Sequence, residues 1–234
     1  MTASGVLVLD FDGTVCLGDE PMLRYAREVA AVSGERGPAI VHRVTEFLLD
    51  GDHRGDPELA GAQDGYQVAV RLGWAAGATR EQLHEAYRLS RVPLHAGEVA
   101  VHAPQGLREL LAELADRIRI VLVTNAPDAG LHRVLDRLGL GDSFHEVHGD
   151  AGKPEGMTPI LQALLDRHGI AESPRRLLSI GDIWRNDLEP AQLLGARTAL
   201  VDRWGRGEGR PDARAATLEQ LYPFIRDWAR STTG

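Results

Sequence analysis

The 234 residues read as an α/β protein, a doubly wound parallel sheet with a helical domain inserted after its first strand, and three observations predict it. Short apolar runs rich in Val, Leu and Ile recur along the chain, as strands buried on both faces require. Amphipathic helical patterns alternate with the later runs, which implies strand–helix–strand crossovers with ligands at the carboxyl ends of the strands. The first two runs are separated by far more chain than one crossover helix needs, and that stretch holds helical patterns without a strand run.

The strand runs are Val6 to Asp10, Arg119 to Thr124, Phe144 to His148, Leu177 to Asp182 and Arg197 to Asp202. Between the later ones, Pro104 to Arg117, Asp128 to Leu138, Met157 to Arg167 and Leu188 to Leu194 carry apolar residues at spacings of three and four, as helices do. In the insertion, the same spacing predicts helices over Glu20 to Val32, Ala39 to Leu49, Tyr66 to Leu72 and Arg80 to Ser90. The expected division is a sheet-bearing core of residues 1–15 and 101–234 with a helical domain of residues 16–100. Gly51 to Pro57 reads as an internal loop whose composition explains its Arg54-Gly55-Asp56 triplet, and Ser231 to Gly234 as a frayed tail.

Composition narrows the function classes. With 26 basic and 34 acidic residues the net charge is -8, which opposes a phosphate backbone, and no stretch mixes dense Lys/Arg with aromatics, so nucleic acid is not an expected partner. No apolar run approaches the roughly 20 residues of a membrane helix. The residues before Val6 lack a basic group and lead into a short apolar run, so neither export nor a membrane location is expected. The one cysteine, Cys16, excludes an internal disulfide and agrees with a cytoplasmic setting. A single lysine, Lys153, stands among 26 basic residues. A chain that uses Arg everywhere else and keeps one Lys points to a place for a compact ammonium, which a planar guanidinium replaces poorly.

Chemistry-bearing residues gather at strand ends. Asp10 and Asp12 in Asp10-Phe-Asp-Gly-Thr14 put two carboxylates on one site, a nucleophile or metal ligand beside an acid/base partner; alone, the segment also reads as a polar turn. Thr124 and Asn125 arrive before a helix and suit an anion or simple capping. Gly152-Lys153-Pro154 follows the third run and offers an ammonium to a phosphoryl group or to crowded carboxylates. Gly181-Asp182 and Asn186-Asp187 end the fourth. Four carboxylates there would repel by about 4 kcal/mol per pair at about 4 Å and an effective dielectric of about 20, so a hard divalent cation, Mg²⁺, is expected among them.

Asp-x-Asp-Gly-Thr, Thr-Asn, Lys-Pro and Gly-Asp-x-x-x-Asn-Asp, in that order at strand ends, together resemble the four motifs of the haloacid dehalogenase-like (HAD) hydrolase superfamily, and the resemblance covers the whole chain. It implies a Rossmann-like core, with the helical insertion as a mobile cap. It further implies that Asp10 is the nucleophile, Asp12 the general acid/base, Thr124 and Lys153 phosphate ligands, and Asn125 an aid to substrate positioning. Asp182 would be a Mg²⁺ ligand with the backbone carbonyl of Asp12, and Asp187 would hold metal-bound water or orient Lys153. The expected activity is Mg²⁺-dependent hydrolysis of a small-molecule phosphate ester through an aspartyl-phosphate. The alternatives are a phosphomutase using the same intermediate and a catalytically quiet binding protein. Dehalogenation is disfavoured because the resembling dehalogenases lack an acid at the position of Asp12.

Weaker features read as structure. His145 and His148 should lie on opposite faces of a strand, against a transition-metal site. Cys16 should be a buried thiol, and Gly205 to Pro211 a loop without phosphate-binding spacing. The four tryptophans should be core or hinge anchors, with Trp184 placed to touch substrate or cap. Arg24, His53, Arg54, Tyr66 and Arg71 are the candidate specificity residues of the insertion.

Overall fold

The computed structural model describes residues 4–53 and 55–232, and the chain divides into two compact units, Met1–Leu17 with His102–Gly234, and Gly18–Val101. In the first, six strands form one parallel sheet: β1 (Gly5–Leu9), β2 (Ile118–Val123), β3 (Glu146–His148), β4 (Leu177–Gly181), β5 (Arg197–Val201) and β6 (Ala213–Ala215). Their order is β3-β2-β1-β4-β5-β6. The chain therefore winds outward from β1 in one direction, then returns to β4 and winds in the other. The switch point, where ligands bind in such sheets, lies between β1 and β4.

Both faces of the central strands are covered, which is why the runs read as continuous rather than alternating. Val6, Val8, Val121 and Val123 pack with Met157, Leu161, Leu164 and Leu165 of α7 (Met157–Arg167) on one face, and Leu7, Leu9, Ile120 and Leu122, which alternate with them, are buried as well. Four further helices complete the unit: α5 (Leu107–Leu114), α6 (Leu131–Arg137), α8 (Glu189–Leu193) and α9 (Leu218–Ser231).

The second unit contains α1 (Glu20–Val32), α2 (Gly37–Asp50), α3 (Gly65–Ala75) and α4 (Arg80–Ala96). Helix α1 packs on the other three. Gly73 makes one close approach possible, since a Cβ there would lie 2.7 Å from Leu83 Cδ2 and 2.8 Å from Val29 Cγ1. Asp64 caps α3 by accepting from Gln67 N, and Thr79 and Gln82 cap α4 reciprocally. Arg91 of α4 is buried, donates to the hydroxyls of Tyr66 (3.2 Å) and Tyr87 (2.7 Å), and lies over both rings.

Several sequence expectations need correction. Strand β6 and helix α9 were not expected. Pro223 inside α9 disguised its pattern, yet Leu218, Leu221, Tyr222, Ile225 and Trp228 form a buried stripe. The tail is not wholly frayed, because Ser231 closes α9 and Thr232 is buried. Helix α4 runs past Ser90 and through Pro93 to Ala96. Trp74 is no core anchor, being 55% exposed, whereas Trp228 is buried and donates to Arg175 O at 3.0 Å. Arg54 of the loop triplet lies outside the described residues.

Candidate active site

Every strand that borders the switch point delivers a polar residue just past its last ladder position. Asp10 follows β1 and donates its N–H to Ile180 O at 3.0 Å, which carries the sheet one residue beyond Leu9. The chain then coils around one acceptor: Phe11 O takes the N–H groups of Thr14, Val15 and Cys16 at 3.3, 2.9 and 2.8 Å. Asp12 sits in this turn, half-buried, and its charge reaches Asp10. Gly13, at φ 79°, is required on two counts, since a Cβ there would lie 2.2 Å from Asp182 Oδ2. Gly181 plays the matching part at the tip of β4, where a Cβ would fall 2.4 Å from Asp187 Cβ.

Lys153 is the hub. Its Nζ donates to Asp10 Oδ1 and to Asp187 Oδ1, each at 2.6 Å, and to Val123 O at 3.1 Å, so all three ammonium protons have protein acceptors. The lone lysine is buried, 8% exposed, like Asp10. Asp187 is buried too, and its Oδ2 accepts from Ile183 N at 3.1 Å while its carbonyl accepts from Ser179 Oγ at 2.7 Å. Asp187 thus contacts Lys153 on one side and the end of β4 on the other.

Asn125 lies against the lysine loop. Its side-chain amide pairs with the Lys153 backbone, Oδ1 accepting from Lys153 N at 2.6 Å and Nδ2 donating to Lys153 O at 3.1 Å. It braces the loop that presents the lysine. Thr124 is buried, its Oγ1 accepts from Ala126 N at 3.0 Å, and its backbone joins His148 O and Ala151 N, tying the end of β2 to the loop after β3.

Electrostatics follow from crowding among buried groups. Burial, with the charges of Asp187 and Asp12, pushes the Asp10 carboxyl up to about 7 against the pull of Lys153. Burial pulls Lys153 down, but Asp10 and Asp187 outweigh it and hold the ammonium above its ordinary range. Asp10, Asp182 and Asp187 offer carboxylate oxygens within 4.8 Å of one another, which among the described residues is the single acidic group able to hold a metal ion. An all-oxygen, anionic donor set of this kind fits a hard divalent cation. The carboxylate of Asp12 is not in this cluster.

A model of the haloacid dehalogenase-like hydrolase family matches residues 5–195. The chain belongs to this family. A phosphoglycolate phosphatase of Pseudomonas putida is 24% identical over 243 residues, covering 100% of this chain and 83% of the relative. A phosphoglycolate phosphatase of Vibrio vulnificus is 32% identical over 137 residues, 55% of this chain and 59% of the relative. Among solved structures, a predicted phosphoglycolate phosphatase from Haemophilus somnus superposes with a TM-score of 0.63 at 15% identity, over 96% of this chain and 99% of that one. A HAD hydrolase from Bacillus subtilis bound to magnesium superposes at 0.59 with 18% identity and the same coverages. At such identities the superpositions show the fold alone, and structures of haloacid dehalogenases share it. The family match makes the chain a HAD hydrolase.

The other residues singled out in the sequence have local partners. His145 Nδ1 accepts from Ile120 N at 3.0 Å, and His148 Nε2 instead faces Glu146 Oε2 at 3.4 Å. Cys16 is buried beside the Asp12 bridge. In the helical unit Arg24 pairs with Glu20, His53 Nε2 meets Ala62 O at 2.7 Å, Arg71 donates to Ala60 O, and Tyr66 accepts from Arg91. Arg91 was missed by sequence reasoning; the signal was its spacing of four from Tyr87 on one helix.

Proposed function

We propose that the chain is a Mg²⁺-dependent phosphatase acting on a small phosphorylated metabolite through an aspartyl-phosphate on Asp10. The observation that carries this reading is the contact of Lys153 Nζ with both Asp10 and Asp187 inside the acidic group at the switch point. The names of the two curated relatives make 2-phosphoglycolate the first substrate to try. The work of the cap falls to the helical unit.

In this mechanism Asp10 Oδ attacks phosphorus and the phosphorus–oxygen bond to the leaving alcohol breaks. Asp12 gives that alcohol its proton, then takes one from the water that hydrolyses the acyl phosphate. Thr124 donates its hydroxyl proton to a phosphate oxygen. Lys153 offsets the charge of the carboxylates that the substrate must approach, and Asn125 keeps the lysine loop in register. Asp10, Asp182 and the carbonyl of Asp12 would hold Mg²⁺, with Asp187 beside them. The cation supplies charge neutralisation of the carboxylates and the phosphoryl oxygens.

Release of inorganic phosphate from 2-phosphoglycolate and from a panel of sugar phosphates, with Mg²⁺ and with excess chelator, tests the reading. Turnover that needs no bisphosphate activator and stops with chelator is expected. Undiminished turnover in chelator would remove the metal, and transfer to a second hydroxyl in place of phosphate release would make the enzyme a mutase.

A further inference from the structure

We infer that Trp184 is a positioning residue for this phosphatase: its indole, seated on Gly209, sets the start of the turn that carries Asp187 into the acidic cluster. The inference rests on the proposed Mg²⁺-dependent reading of that cluster.

After Gly181 the chain must project Asp182 and, within a few residues, bring Asp187 back against the strand tip. It does so through a π-helical turn, Trp184–Leu188, in which Glu189 N donates to Trp184 O. Such wide turns are rare and persist where their surroundings hold them. At one end the holders are the contacts of Asp187 with Ile183 N and Ser179 Oγ. At the other end stands the indole. A Cβ built on Gly209 would lie 2.0 Å from Trp184 Cδ2, 2.2 Å from Cε3 and 2.3 Å from Cε2, so bare glycine backbone rests on the fused ring bond.

That backbone is itself pinned. Arg214 Nη2 donates to Glu208 O at 2.5 Å and Gly209 O at 3.1 Å, and Gln192 Nε2 donates to Arg210 O at 2.8 Å. Asp202, at the end of β5, accepts from Arg206 N and Gly207 N at 2.9 Å each and from Arg214 Nη1 at 3.0 Å. The amide groups of Arg206 and Gly207 are thus spent on Asp202 instead of cradling a ligand. The glycine-rich loop is an abutment for Trp184, and it fixes from behind the turn whose front face carries the cluster.

The test uses the full chain and three readouts: Mg²⁺ binding by calorimetry without substrate, steady-state kinetics on p-nitrophenyl phosphate, and a thermal melt. Gly209→Ala should weaken Mg²⁺ binding and lower kcat by roughly 10-fold each, with KM changed less than about 2-fold, because the displaced turn misplaces carboxylates rather than the phosphate site. Gly209 also lies at φ 62°, so the melt reads the backbone strain of this variant apart from its effect on the turn. Trp184→Ala, which removes the seat without a clash, should show the same split and keeps the idea testable if Gly209→Ala does not fold. Trp184→Ala within about 2-fold of wild type in both Mg²⁺ binding and kcat would overturn the role of Trp184 alone. A wild-type protein that neither binds Mg²⁺ nor hydrolyses the aryl phosphate would overturn the functional reading as well.

Discussion

Lys153 shows how much one side chain can carry. A single nitrogen satisfies two carboxylates and a strand carbonyl, and it does so as a point charge with three radiating donors. A guanidinium spreads its donors over a planar fork and cannot meet Asp10, Asp187 and Val123 O from one place. Lys153→Arg should therefore cost roughly 10²-fold in kcat/KM, about 3 kcal/mol of transition-state stabilisation, despite conserving charge. Steady-state kinetics beside a melt checks this; near wild-type turnover with Arg would leave the uniqueness of the lysine without meaning. The lysine was legible in the sequence because it was the one departure from an arginine-only usage. Its carboxylate partners were legible in part, as the crowded acids of the strand ends, but the contact with Val123 O was not, because a backbone carbonyl leaves no mark in a sequence.

At the scale of elements, what sequence could reach was decided by where the local pattern and the tertiary role agree. The strand runs and α7 were legible because an apolar run buried on both faces and a stripe of period 3.6 have no competing interpretation. Strand β6 was not: its three residues, Ala213–Ala215, pair with β5 at the sheet edge and carry almost no side-chain pattern. The π-helical turn was invisible for another reason, as its cause lies in Gly181, Asp187 and Gly209, which are apart in sequence and together in space. Asn125 falls in the same class. It joins the end of β2 to the loop before α7 by two hydrogen bonds to the Lys153 backbone. Asn125→Ala should lower kcat about 10-fold and stability by about 1–2 kcal/mol, the worth of two hydrogen bonds. Kinetics and chemical denaturation read the two effects. A change in KM alone, with kcat and stability intact, would return Asn125 to direct substrate contact.

For the whole molecule, the acidic cluster links protonation, cation and stability. Asp10 has its carboxyl raised to about 7 in the fold from an ordinary value of 3.8. Its contribution to stability is therefore fully present below about pH 4 and is lost as pH rises through about 7. A cation needs the carboxylate, so it offsets that loss only where Asp10 is ionised. The rise in melting temperature on adding Mg²⁺ should be larger at about pH 8 than at about pH 5.5, as a melt series would read, and an equal rise at both would detach Asp10 from the cation. The central claim is that Asp10 itself carries the phosphoryl group. Rapid quenching during turnover, followed by borohydride reduction of any acyl phosphate and mass spectrometry of the peptides, tests it most directly. Homoserine in place of Asp10, absent without substrate, is the predicted result; efficient turnover with Asp10 unmodified at every time point, or reduction at another carboxylate, would contradict it.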